Sequence, residues 1–301
     1  MSKSTKIKAH LALLAVALIY GLNYSVAKDV MPNFVQPRAF ILMRATGAVI
    51  LFFALGLSFK KEHIQSKHWL RIIAAGFFGV AANQLLFFEG LNITTPISAS
   101  VIMTTNPIMV LSLSAVFLKV PLTWPRIFGI SLGISGALYL ISQGGSLQSV
   151  FNEGESLGNL LVMLNALSYA AYLVVVKPLM AIYRPFTVIK WVFLAGFLIV
   201  IPFGAPQVPN IDWMAMPAKI YWEIGFVIIC TTFLAYLLNI YALKTVSSTT
   251  VSFYIYLQPL VATGAAIMLG TDEPNRHLLF AALLIFLGVY LVSFYRRSKA
   301  Q

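Results

Sequence analysis

Arg44 carries the clearest chemical question in this chain. It lies about two turns inside an apolar run, residues 38–58, with no other charge in the run's interior. At that depth in a bilayer a cation costs at least ~2.5 to 3.5 kcal/mol unless a partner or water receives it. Glu89, near the outer end of another run, is a candidate partner; the plain alternative is that both side chains reach out to the interface. The functional alternative is that Arg44 attracts a substrate carboxylate. Two prolines set a second pattern. Ser100 and Thr104 precede Pro107, and Ser252 and Tyr256 precede Pro259, in each case on one helical face. Pro107 would free the carbonyl of Met103, and Pro259 that of Ile255. A membrane helix tolerates this only where neighbours or cavity water take up the freed group. The two prolines are therefore candidate gates beside a midplane cavity, a packing kink being the plain alternative. Tyr20, Asn23 and Tyr24, then Asn83, Gln84 and Phe87, then Tyr169 and Tyr172, then Trp191 beside Lys190, then Tyr236 and Asn239 add polar and aromatic groups at depth. Rings with polar tips can line a wet pocket and stack on a planar ligand. Trp69, Trp124, Trp213 and Trp222 fit the interfacial belts instead.

The elements that must position these residues follow from composition. Of 301 residues 59% are hydrophobic and 10% charged, and the mean hydropathy is +0.86, far from a soluble domain. Ten runs are each long enough for a membrane helix of roughly 20 residues: 9–27, 38–58, 69–91, 95–118, 123–142, 157–177, 186–204, 219–242, 247–269 and 276–295. They are apolar all round, which argues against barrel strands. The expected fold is an all-α integral membrane protein of ten transmembrane helices.

The net charge of +12 points to no nucleic acid, because the basic residues fall in alternate connections. Lys60, Lys61, Lys67 and Arg71, then Lys119 and Arg126, then Lys177 and Arg184, then Arg296, Arg297 and Lys299 share one side. Lys28, Arg38, Lys219 and Arg276 fall on the other. The positive-inside rule puts both termini in the cytoplasm of a multi-pass protein of the plasma (inner) membrane.

The chain also repeats itself. A shift of 152 residues puts Ser100 on Ser252, Thr104 on Tyr256, Pro107 on Pro259 and Gly136 on Gly288. In the first run a shift of 149 puts Tyr20 on Tyr169 and Lys28 on Lys177. Residues 1–145 and 146–301 thus form two five-helix repeats. Five is odd, so the second enters the membrane from the opposite side, an inverted repeat with its substrate site at the midplane. Gly129, Gly133 and Gly136 in run 5, with Ala281, Ala282 and Gly288 in run 10, suit close helix contact, in the scaffold or between copies in a homo-oligomer.

Phe88-Glu89-Gly90-Leu91, then Ser98-Ala99-Ser100, mid-helix Pro107, and Pro121-Leu122-Thr123-Trp124 before a Gly-rich helix resemble the EamA-type repeat of the drug/metabolite transporter superfamily. Many members have Gly-Glu before run 5, where this chain has Lys119-Val120; Glu273, before run 10, keeps an acid near that place. The resemblance implies a secondary transporter that exports or facilitates movement of small metabolites, amino acids included.

Catalysis has little support. His10, His63, His68 and His277 fall at helix ends or in loops, and no metal-ligand, phosphate-loop or nucleophile-elbow motif occurs. No cofactor is implied. One Arg among Tyr, Asn and Ser/Thr suits a neutral or aromatic amino acid, moved by alternating access. A drug or quaternary-amine exporter, using the rings by cation–π contact and Glu89 as counter-charge, is the competing expectation. A non-transporting membrane scaffold is a third.

Overall fold

The computed structural model describes residues 3–59, 62–117, 119, 122–141, 154–243 and 254–293. Ser252 lies outside them, as does the junction between residues 145 and 146. Every described element is a helix or turn, and each of the ten runs is helical where described. Among the described residues seven spans are long and apolar enough to cross a membrane; Gln258–Leu269 and Arg276–Leu291 are shorter apolar stretches.

Prolines and extended residues set the starts. α1 covers Lys3–Val30. Gln36 is extended and Pro37 opens α2, Pro37–Gly56, because a proline in the first turn lacks only an N–H that would have no partner there. The third rod is α3, Trp69–Gly76, a π-helical turn at Phe77–Ala81, and α4, Ala82–Ile93. Thr95 caps α5, Pro96–Met103, by accepting from the Ser98 N–H at 3.2 Å. After Thr104 and Thr105 come α6, Asn106–Phe117, and α7, Trp124–Ile141.

The second half repeats these pieces. α8 is Gly154–Ile182, and α9, Pro185–Gly204, has the same length as α2, 20 residues, and likewise opens on a proline. α10, Ala218–Gly225, has the 8 residues of α3 and leads into a longer π-helical segment, Phe226–Leu234, then α11, Ala235–Leu243. α12, Gln258–Leu269, matches α6 at 12 residues, and α13, Arg276–Ser293, matches α7 at 18. Gly270, at φ 64°, closes α12 in the left-handed conformation that glycine adopts without penalty.

The broken rods correct one expectation. Pro107 and Pro259 do not kink continuous helices. The fourth rod is interrupted at Thr104–Thr105 and the ninth at Tyr256–Leu257, so each proline sits in the first turn of a new helix. Thr104 and Thr105 satisfy the break locally, their hydroxyls donating to the carbonyls of Val101 and Ile102 at 2.7 Å each.

The halves interlock. α7 lies along α13, α4 along α8, α2 along α9 and α1 along α12. At the α7–α13 crossing a Cβ on Gly288 would stand 2.6 Å from the Gly129 carbonyl oxygen and the Gly133 nitrogen, and one on Gly136 would stand 3.0 Å from the Ala281 carbonyl oxygen. The small residues expected to serve either scaffold or self-association therefore meet each other within the chain.

Lys28 ties the end of α1 to the end of α4. Its Nζ donates to the carbonyls of Leu91, Asn92 and Thr94 at 2.9, 2.6 and 2.9 Å, closing the end of α4 where helical partners run out. Lys28→Met should lower the melting temperature in detergent, at a cost of about 1–3 kcal/mol for the stranded carbonyls. An unchanged melting curve would remove this role.

Candidate functional site

The site begins where α2 and α4 pass antiparallel. Phe40 and Phe88 meet edge-on with centroids 5.5 Å apart. One turn deeper on α2 is Arg44, and one turn deeper on α4 is Gln84, so the two share a level. Arg44 is 8% exposed. Its guanidinium carbon stands 5.0 Å from the centre of the Phe88 ring, and its Nε donates to Thr232 Oγ1 at 2.5 Å. Thr232 belongs to the π-helical segment of the other half, and its hydroxyl donates to the Val227 carbonyl at 2.8 Å.

Two tyrosines stand near this cation. Tyr20 on α1 and Tyr236 on α11 are close enough to interact electrostatically with Arg44. Tyr20 also lies near Tyr169, Tyr236 and Tyr24, and Tyr172 near Tyr169 and Tyr236. The Tyr169 and Tyr172 rings lie 6.0 Å apart. Tyr236 is held edge-on by Phe193 at 5.3 Å and Phe52 at 6.4 Å. Asn23 is 4% and Gln84 5% exposed, yet Asn23 Oδ1 and Gln84 Oε1 make no hydrogen bond. Phe87 packs on Tyr24 at 5.6 Å and on Phe88 at 5.3 Å.

Glu89 is not the partner of Arg44. It pairs with Arg38, Nε to Oε1 at 2.6 Å, because Arg38 lies six residues nearer the start of α2, roughly 9 Å along the axis and level with the end of α4. Arg44 is in no ion pair among the described residues. The second half supplies no matching cation: α9 aligned on α2 puts Val192 at the place of Arg44.

Several other candidates bond or pack within the scaffold. Asn83 Nδ2 donates to the Asn165 carbonyl at 3.4 Å and Asn165 Nδ2 to the Asn83 carbonyl at 2.6 Å, a reciprocal clasp of α4 on α8. The Ser100 hydroxyl donates to the Ile97 carbonyl at 2.7 Å, and Thr104 is back-bonded as described. Tyr256 stands at the turn before α12 with its ring 6.2 Å from Phe286, and Asn239 is half-buried on α11. Trp191 stacks edge-on with Phe53 at 5.5 Å and Trp69 at 5.1 Å. It is two residues, or about 200° of helix, from Phe193, which touches Tyr236, so Trp191 faces away from the tyrosines. Thr232 and Phe88 went unnoticed as site residues. The signal for Thr232 was its place one turn before Tyr236.

A helical bundle with a buried arginine where its halves meet, and apolar spans long enough to cross a bilayer, is an architecture that suits a membrane transporter of small molecules. The chain belongs to the EamA-like transporter family, which matches residues 7–142 and again 156–294. It is 25% identical over 288 residues to the uncharacterized transporter YyaM of Bacillus subtilis, covering 94% of this chain and 93% of that one. It is 26% identical over 285 residues to an uncharacterized transporter of Archaeoglobus fulgidus, covering 95% and 98%. A protein of Chlamydia muridarum named an S-adenosylmethionine/S-adenosylhomocysteine transporter is 28% identical over 295 residues, covering 92% and 88%. One solved crystal structure aligns over 100% of both chains with a TM-score of 0.63 at 17% identity, a likeness of fold.

Proposed function

We propose that this transporter carries neutral α-amino acids, aromatic ones included, out of the cell across the plasma membrane, with both termini cytoplasmic. The observation that carries the proposal is Arg44, buried and free of any ion pair among the described residues. A cation so placed is stabilised by an anion that comes and goes, and a carboxylate fits its fork in two parallel hydrogen bonds. The unpartnered oxygens of Asn23 and Gln84 supply acceptors for an ammonium group, and ring faces attract the same charge. Tyr20, Tyr169, Tyr172 and Tyr236 then receive the side chain.

Movement follows by alternating access of two inverted repeats. The breaks at Thr104–Thr105 and Tyr256–Leu257 act as the flexing points, with Pro107 and Pro259 starting the segments that swing. The quaternary-amine alternative loses support because Glu89, its counter-charge, is engaged by Arg38. A second substrate has one specific observation in its favour: the named activity of the Chlamydia muridarum relative. S-adenosylmethionine also carries an α-amino acid group, beside a planar base that tyrosine rings can stack on.

A thermal-shift screen of purified protein tests this, since a ligand bound only by the folded state raises its melting temperature. Amino acids should stabilise the protein and their carboxamides should not. Stabilisation by quaternary amines alone would overturn the proposal, and stabilisation by S-adenosylmethionine alone would move it to that substrate.

A further inference from the structure

We propose that Thr232 is the positioning residue of the Arg44 site, orienting the guanidinium so that its two terminal nitrogens receive the substrate carboxylate. This rests on the amino-acid reading above. A hydroxyl has one proton and two lone pairs. The proton of Thr232 goes to the Val227 carbonyl, five residues back, a reach that matches the wide register of the π-helical segment Phe226–Leu234. With its proton committed, Oγ1 meets Arg44 as an acceptor only, and the donor is the Nε–H.

That choice of nitrogen has a geometric consequence. Nε is the guanidinium nitrogen bonded to the stem, so pairing it fixes rotation about the last stem bond. The guanidinium carbon also stands over the Phe88 ring. Together they leave the forked end, the two Nη groups, as the part that can take a carboxylate side by side.

The first half has no equivalent of this device, because the matching carbonyl is met by a hydroxyl from α8 in the other half. Phe78 stands 149 residues before Val227, and its carbonyl also receives a hydroxyl, that of Ser168, at 2.8 Å. The residue in register with Thr232 is Asn83, which clasps Asn165 instead. The Arg44–Thr232 bond also runs from α2 in one half to the π-helical segment of the other. The relative position of the halves therefore sets the orientation of the fork.

The test is uptake of labelled L-phenylalanine into proteoliposomes, with KM and Vmax separated. Thr232→Val should raise KM about tenfold, the effect of misorienting one charged hydrogen-bonding group, with Vmax within about twofold. Thr232→Ser, which keeps the hydroxyl, should restore KM to within about twofold of wild type. In an Arg44→Lys background, which has no Nε–H to orient, Thr232→Val should change KM no further. Should Thr232→Val not be recovered folded, Thr232→Cys, a weak acceptor, should raise KM in the same way. An unchanged KM in the Val or Cys variant, or a Ser variant as impaired as Val, overturns the role of Thr232. Wild-type protein that carries no amino acid overturns the substrate reading as well. Wild-type uptake that collapses in Arg44→Gln but ignores Thr232→Val overturns only this inference.

Discussion

Arg44→Gln should lower the efficiency of amino-acid transport by roughly 100-fold or more while the protein still folds and inserts. Truncating one member of a buried, hydrogen-bonded charge pair costs about 2–5 kcal/mol, and every 1.4 kcal/mol is about a tenfold change in affinity. Stability should move the other way or not at all. The unloaded protein holds Arg44 with a threonine hydroxyl and a phenylalanine ring, neither of which balances its charge, so removing the cation relieves a desolvation penalty. The variant should also lose discrimination between an amino acid and its carboxamide. Both quantities come from one set of proteins, by flux into vesicles and by melting in detergent. A collapse of melting temperature with unchanged flux per folded molecule would make Arg44 a scaffold residue.

Gly158→Val is expected to be among the most damaging single changes to the scaffold. A Cβ at Gly158 would stand 2.6 Å from the Thr94 nitrogen and 2.8 Å from the Gly90 carbonyl oxygen. Those are backbone atoms, so the clash is relieved only by moving α8 away from α4. The same movement pulls apart the bond from the Thr94 hydroxyl to Asn159 Oδ1, 2.5 Å long, and loosens the Asn83–Asn165 clasp further along. Overpacking of this kind costs typically about 1–3 kcal/mol and sometimes more, so recovery of folded protein should fall sharply. Gly264→Val is the control, because nothing lies within 4 Å of the Cβ it would add. Its effect should stay within about 0.5 kcal/mol. Equal melting temperatures for the two variants would contradict the close α4–α8 approach.

The architecture was legible in the sequence because bilayer length and repetition are properties of order along the chain. Ten apolar runs and two shifts, 149 and 152 residues, predict helices that recur in matched lengths, such as α6 with α12. The helix breaks were half legible. Pro107 and Pro259 mark them, but whether a proline bends a helix or starts a new one depends on how Thr104 and Thr105 bond locally, which no periodicity reveals. Part of the proposed site was legible as a neighbourhood: Tyr20 and Tyr236 stand near Arg44, and Tyr169 and Tyr172 near Tyr236. Their partners were not. Glu89 and Arg38 pair because α2 and α4 run antiparallel with Phe40 against Phe88, a register set by packing between elements 51 residues apart in the case of that ion pair. Thr232 lies 188 residues from the arginine it holds. Asn83 and Trp191 carry side chains a binding site could use, but their helix faces turn them to α8 and to Phe53 and Trp69.

Flux measured in proteoliposomes tests the central claim, that Arg44 receives a substrate carboxylate, most directly. Vesicles loaded with unlabelled L-phenylalanine should accumulate external labelled L-phenylalanine through the wild-type protein. Excess external amino acid should compete with this uptake and excess carboxamide should not. Arg44→Gln, reconstituted at equal density, should show neither uptake nor that preference. Uptake in Arg44→Gln matching wild type, or equal competition by the amide and the acid, would contradict the assignment.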